Sequence, residues 1–486
     1  LLVDYSRELR WSYIGSFALG VLQIASTSIM ARLLTPADFG IMAVVLVLSR
    51  ALGYFAQLGV ARALVQKETI DEEEIRGAWT VALTCGLLST LAMFGGASWF
   101  ARFFHQEAAT AAIRLFSFNF LLQAVALTPA ALLRRRLHIK RLAGIETLAF
   151  VIGQFALGVP AACLGAGYRA IVLSMLGQSL VLAVVSFAAA SHSLRPSFSF
   201  RRYSSLIFFG SKASGVSVIE YLSASADTFT LGKVASATSL GLYNRAFLLI
   251  NLPLQYLSDG LKKVLFPALA REQNDAVRLR QLVVDATRTF SAVVIPVGIG
   301  AAFSARPIVL TVLGEKWSDA VPVFQWLCLA AVFNCLSHIS ALSTEAVGKF
   351  CGKAWAQSAV AVTMLVAVYE ASKYGIAAAG IAVAVVEAFR CILLLLISTR
   401  LLKCSPLRIV RTWAPGLGGA VAVGLTAALI DRATMLPTSP LIRLVLAIMS
   451  CTVVLFAYYR VFYAQAVLLP MSALVASGRR EYPAAA

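Results

Sequence analysis

Acidic residues are scarce in this chain: 23 Asp and Glu stand among 486 residues, and charged residues of every kind make up 13%. A soluble domain of this length needs far more charge on its surface, so that class is excluded at the outset. Long polar stretches are also missing. The longest run to about 15–25 residues, which are loops and leave no room for a large soluble domain. Histidine occurs four times, at dispersed positions (His105, His138, His192 and His338), so no metal cluster is expected. The eight Cys form no Cys-x-x-Cys pair, which argues against a zinc site or a disulfide framework. They read as small apolar residues. There is no Walker A motif, no Asp-x-Asp typical of nucleotide-sugar enzymes, and no Ser-His-Asp order with supporting motifs. The sequence therefore predicts no catalytic residues, no metal and no cofactor. Any work must come from ion or substrate gradients or from the membrane potential. The opening Leu1-Leu2-Val3-Asp4 does not read as a secretory signal peptide, and the first apolar span is expected to act as the insertion signal.

What is present is apolar surface: 59% of residues are hydrophobic and the mean hydropathy is +0.81. About 20 apolar residues cross a bilayer as a helix, and only helices or closed barrels satisfy their backbone in lipid. The runs are continuous rather than alternating, which selects helices over a barrel. Fourteen spans are expected, at 11–33, 41–60, 77–100, 113–133, 142–164, 169–190, 206–231, 239–261, 282–304, 321–345, 354–370, 376–399, 410–430 and 441–463. The fold class is an all-α polytopic membrane protein. The net charge of +19 would suggest nucleic acid in a soluble protein. With the N-terminus inside, about 28 of the 42 Lys and Arg fall in cytoplasmic links and about 10 outside. The charge therefore sets topology and meets anionic lipid head groups; no nucleic-acid partner is expected, and both termini are cytoplasmic.

A weak internal repeat runs at an offset of 201 residues. Arg32 falls on Lys233, Thr35 on Ser236, Phe39 on Leu240, Gly40 on Gly241, Gly59 on Gly260 and Arg62 on Lys263. This predicts two parallel six-helix lobes, 1–195 and 206–402, joined by a cytoplasmic linker at 196–205. Residues 403–486 add two helices and a cytoplasmic tail. Such paired repeats enclose a cavity near the midplane and work by alternating access.

Polar residues inside spans are costly and tend to face a cavity or a partner helix. Arg50, Tyr54 and Gln57 follow i, i+4, i+7, and the repeat maps them onto Asn251, Gln255 and Ser258. Ser16, Ser26 and Thr27 map likewise onto Ser217, Asp227 and Thr228. Asn119 with Gln123, and Asn334 with His338, each sit at i, i+4. These faces are expected to line one hydrophilic cleft; the alternative is that the amides and hydroxyls knit helices together. Arg50, at the middle of its span, costs at least about 2.5–3.5 kcal/mol unpaired, and its fork suits phosphate oxygens. It is the first candidate anion ligand, followed by Arg245 and Lys212. Glu220 and Asp227 are candidates for coupling-ion binding or for counter-charges to the arginines. Glu387 and Arg390, at i, i+3, can neutralise each other.

Six segments occur in order along nearly the whole chain: Ala31–Gly40 (ARLLTPADFG), Leu58–Lys67 (LGVARALVQK), Ala143–Thr147 (AGIET), Gly241–Asn244 (GLYN), Val264–Ala268 (VLFPA) and Gly314–Trp317 (GEKW). Together they resemble the polysaccharide-transporter branch of the multidrug/oligosaccharidyl-lipid/polysaccharide (MOP) exporter superfamily, the Wzx-type flippases, and most of all the colanic-acid/xanthan-type subgroup. The resemblance implies fourteen helices in two lobes plus two, residence in the bacterial inner membrane, and export of an undecaprenyl-pyrophosphate-linked oligosaccharide. It also implies work beside a polysaccharide polymerase and a chain-length regulator, and cationic residues at the centre, a place Arg50 and Arg245 take by position. Gly40 and Gly241 are expected to permit tight outer turns, and Trp317 to anchor at the membrane interface. Two other readings stay open: a cation-coupled small-molecule exporter of the same superfamily, and a membrane glycosyl-polymerase. The polymerase would favour a large outer loop, and the longest outer link is about 17 residues.

Overall fold

In a computed structural model of the chain, residues 2–57, 61, 64, 65, 67, 70–190, 195, 221–433 and 440–463 are described. Among them every regular element is a helix. Eleven helices are long and apolar enough to cross a membrane, and they coincide with the expected spans two to six and nine to fourteen. Three of the expected fourteen are not among the eleven. The first span lies in α1 (Leu2–Leu33), a single helix of 32 residues that covers the whole of 11–33. The seventh ends as α7 (Ala226–Val234), and the stretch 206–220 lies outside the described residues. The eighth is α8 (Ala237–Arg271), which Arg245, Asn251, Gln255 and Asp259 keep too polar to rank with the eleven.

The chain forms two compact units, Leu1–Asn244 and Arg245–Ala486. The division falls inside α8. The linker expected at 196–205 lies outside the described residues.

In the first unit, α2 (Pro36–Gln57) starts with Pro36 at its first position, where a missing N–H costs nothing. Thr35 caps it: the Asp38 N–H donates to the Thr35 hydroxyl at 3.3 Å, and the Thr35 N–H donates back to the Asp38 carboxylate at 3.0 Å. The start of α8, its counterpart in the repeat, is capped in the same way, with the Ser239 N–H donating to the Ser236 hydroxyl at 3.2 Å. The preceding helices also end in step. Leu34 N–H donates to Met30 O at 2.9 Å, and Ala235 N–H to Leu231 O at 2.8 Å.

Gly40 and Gly241 are helical rather than turn residues, and their need for glycine comes from close approach. A Cβ on Gly40 would lie 2.6 Å from the carbonyl carbon of Ala237, and one on Gly241 would lie 2.7 Å from that of Pro36. The starts of α2 and α8 therefore cross backbone to backbone, through the small-xxx-small spacings Pro36/Gly40 and Ala237/Gly241.

Next come α3 (Glu72–Phe103), α4 (Ala109–Arg135), α5 (Ile139–Cys163) and α6 (Tyr168–Ala189). Within the acidic run at the start of α3, Asp71 and Glu74 form a cap. Asp71 accepts from the Glu74 N–H at 2.7 Å, Glu74 accepts from the Asp71 N–H at 3.4 Å, and Lys67 pairs with Glu74. In the middle of α5 the chain widens into a π-helical turn, Ile152–Gly158, just before Pro160. There Ser26 of α1 donates to Gln154 at 3.1 Å.

The second unit continues with α9 (Ala276–Phe303), α10 (Ala305–Val312), α11 (Val321–Ala346), α12 (Phe350–Ser372), α13 (Ile376–Leu401), the short α14 (Pro406–Val410), α15 (Ala414–Ala433) and α16 (Pro440–Phe462). α11 packs along α13, and α9 along α15. The Tyr459 hydroxyl ties α16 to the rest by donating to the Ala292 and Pro415 carbonyls. Only 6% of the apolar window of Leu441–Phe462 is buried, which water would not tolerate and lipid does. Trp317, expected at the membrane interface, is fully buried instead. Gly314, at φ 102°, starts a 3₁₀ turn over Glu315–Ala320 that folds the indole inward.

Candidate functional site

In the first unit, Ser49, Arg50, Gly53 and Tyr54 of α2 and Gln123 of α4 line a cavity of about 230 Å³. The helical spacing that aligned Arg50 with Tyr54 puts both on the face α2 leaves open. Among the described residues no carboxylate pairs with Arg50. A further aromatic joins them from the end of the seventh span: the Tyr221 ring lies 5.7 Å from that of Tyr54, and Arg50 is within electrostatic reach of its hydroxyl. That hydroxyl donates to Val47 O at 3.2 Å, which holds the ring against α2. A fixed guanidinium beside phenols and an amide can bind an oxyanion and donate to hydroxyls around it. Sequence reasoning missed Tyr221, although a Tyr in an otherwise small-residue stretch was a signal.

Asp227 is 4% exposed and accepts from the Tyr243 hydroxyl, which is itself fully buried, and from Thr228 at 3.3 Å. Asn119 is also buried; its side-chain oxygen accepts from Ser179 at 2.7 Å, so its amide joins α4 to α6 while Gln123, one turn on, faces the cavity. Lys212, Glu220 and the side chain of Gln57 lie outside the described residues.

In the second unit, Arg245 is half-buried, Asn251 donates to Phe247 O of its own helix at 3.2 Å, and Gln255 is exposed. Asn334 donates to the Glu387 carboxylate at 3.0 Å, and Arg390 reaches the same group at 3.4 Å. The i, i+3 pair is thus part of a three-member, partly buried network with α11. His338 is half-buried one turn further, within electrostatic reach of Lys262, Arg390 and Lys353. Those cations are paired in turn with Asp259, Glu387 and Glu345. Among the described residues no three His, Cys, Asp or Glu side chains come together as metal ligands.

A family model described as "Polysaccharide biosynthesis protein" matches residues 29–322, more than half of the chain. The chain belongs to this polysaccharide biosynthesis protein family. Proteins similar to it include the lipopolysaccharide biosynthesis protein WzxC of Escherichia coli, 24% identical over 68% of this chain and 67% of that one. Another is the succinoglycan biosynthesis transport protein ExoT of Rhizobium meliloti, 24% identical over 67% and 66%. Among solved structures, the lipid II flippase MurJ in an inward closed conformation superposes with a TM-score of 0.71 at 14% identity, covering 92% of this chain and 98% of that one. That likeness gives the fold: an all-helical polytopic membrane protein. The family's match ends near the start of α11, so Asn334, His338 and Glu387 lie beyond it.

Proposed function

We propose that the protein is a flippase that moves undecaprenyl-pyrophosphate-linked oligosaccharide units from the cytoplasmic to the periplasmic leaflet of the inner membrane, for exopolysaccharide or lipopolysaccharide assembly. The observation that carries the reading is the Arg50 cavity. Its cation has no carboxylate partner among the described residues and stands beside Tyr54, Gln123 and Tyr221. A sugar head group cannot cross hydrocarbon cheaply, since each unpaired hydroxyl costs several kcal/mol. A polar cleft replaces water around the head while the polyprenyl tail stays in lipid. In this reading Arg50 holds a pyrophosphate oxygen, with Arg245 and Lys212 as further cationic ligands. Tyr54, Gln57 and Gln123, with Asn251, Gln255, Asn334 and His338, contact sugar hydroxyls. Asn119, whose oxygen is taken by Ser179, supports the cleft rather than lining it. The lobes alternate between inward and outward access.

The test is a deletion strain complemented with Arg50→Ala. Finished lipid-linked units should accumulate on the cytoplasmic face while the variant still inserts at normal level. Normal export by Arg50→Ala would sink the assignment. The buried Asp227, held by Tyr243 and Thr228, favours a second element within the same reading: a carboxylate that binds the coupling cation. In a small-molecule exporter of the superfamily the same carboxylate would bind cation or drug, and a drug-resistance phenotype with intact export of lipid-linked units would favour that alternative.

A further inference from the structure

In the second unit, a cavity of about 460 Å³ opens between the first half of α9 and the segment that follows α13. Gln281 and Arg288 border it on α9; Arg408 and Arg411 border it from α14 and the turn after it. The Arg280 guanidinium fastens the two together by donating to Leu402 O at 3.2 Å. Both walls belong to links that the distribution of Lys and Arg assigns to the cytoplasmic side. The cavity therefore opens at the depth of the inner-leaflet head groups.

Its charge is unbalanced. The carboxylate beside it, Asp285, is engaged by Arg288 at 3.7 Å and by the Gln281 amide at 3.0 Å. Arg408 and Arg411 have no carboxylate partner among the described residues, so three guanidiniums against one carboxylate leave an excess of two positive charges. Leu407, next to Arg408, is 55% exposed and offers an apolar contact beside the cations. A concave cationic pocket with an apolar edge at the cytoplasmic interface is built for a lipid head group carrying phosphate. We infer that this pocket binds the phosphates of a doubly charged lipid, with Arg408 and Arg411 as the ligands. Two sources share that chemistry: an anionic bilayer lipid with two phosphates, or a polyprenyl diphosphate. The inference does not depend on Arg50 or on export, because its readout is lipid binding.

The full-length protein, reconstituted in phosphatidylcholine nanodiscs, is titrated with cardiolipin and, separately, with farnesyl diphosphate. Arg408→Gln/Arg411→Gln is compared with Arg136→Gln/Arg141→Gln, a charge-matched pair of exposed arginines elsewhere on the expected cytoplasmic face. Each guanidinium near a membrane surface contributes about fivefold, so the pocket variant should bind about 25-fold more weakly and the control should match the unmodified protein. Loss confined to cardiolipin identifies a bilayer lipid, and loss confined to farnesyl diphosphate identifies a diphosphate carrier; either supports the pocket. Equal loss in both variants would reduce it to general surface charge, and no loss in the pocket variant would overturn it outright. Arg408 and Arg411 are exposed, so the variants should keep the unmodified protein's thermal midpoint.

Discussion

Replacing Gly40 by Ala tests the crossing of α2 and α8 more sharply than any larger change. The added Cβ would sit 2.6 Å and 2.9 Å from the carbonyl carbon and Cα of Ala237. Ordinary contact begins near 3.4 Å and the Ala237 carbonyl oxygen would lie closer still than these carbons, so the two backbones must part by more than about 1 Å. The obstacle is main chain, which has no rotamer to move to. Overpacking of this kind costs about 1–3 kcal/mol, against a gain of at most about 1 kcal/mol from the better helix propensity of Ala. Gly40→Ala should therefore lose about 1–2 kcal/mol. Gly95 supplies the opposite case: it lies inside α3 with nothing within 4 Å of the place its Cβ would take. Gly95→Ala should gain about 0.5–1 kcal/mol from propensity alone. Gly40→Ala/Gly241→Ala should cost less than the sum of the single changes, because the first already opens the gap the second needs. Unfolding midpoints of the purified chain in detergent read all four variants. If Gly40→Ala stabilises as Gly95→Ala does, the close approach is refuted.

Tyr243→Phe removes the hydroxyl that donates to buried Asp227 and should cost about 1.5–3 kcal/mol; Asp227→Asn added to it should recover part, and a neutral single change would deny the contact. Glu387→Leu leaves Arg390, whose side chain is 15% exposed, buried without its counter-charge, a loss of about 3–5 kcal/mol. Glu387→Leu/Arg390→Met should be far milder in the same assay, and equal damage from both would refute the pairing. Asp275 caps α9, and its bonds from the Arg278 and Val277 N–H groups hold its carboxyl below the usual 3.8. A depressed carboxyl contributes stability above its unfolded value and loses it as pH falls through the folded one. Hydrogen exchange at residues 277–279 should therefore quicken, relative to the intrinsic rate, below the ordinary aspartate range, and Asp275→Asn should stay flat. Unchanged relative protection into strong acid would exclude the cap.

The spans were legible because lipid demands an unbroken apolar run, and a run of about twenty such residues has few other uses. α8 was legible as well, over 239–261, although its polar face interrupts the run at Arg245, Asn251 and Gln255. The repeat was legible in Gly40 and Gly241, yet their role was not. A helical glycine pressed on a backbone and a turn glycine look alike in sequence. Half of the candidate site was written in α2, where i, i+4 spacing fixes the shared face of Arg50 and Tyr54. Tyr221 was not, because it joins from a distant part of the chain, and no local period encodes that meeting. Asn119 and Gln123 share a helix face and a chemistry, and only the partner Ser179 separates a helix tie from a cavity wall. Trp317 was misplaced because a short 3₁₀ turn redirects it, and such turns leave no hydrophobic period to read.

The crossing at Gly40 is also reciprocal. Pro36 meets Gly241, and Ala237 meets Gly40, while Pro36 and Ala237 are themselves counterparts in the repeat, as are the two glycines. Residue i touching j while the equivalent of j touches the equivalent of i defines an isologous contact, the kind two identical subunits make about a two-fold axis. A half-length ancestor with one copy of this segment would carry a surface complementary to itself and could pair with a second copy. Gene fusion would then have turned an interface between molecules into a contact within one chain, leaving each half free to acquire its own chemistry around a shared seam.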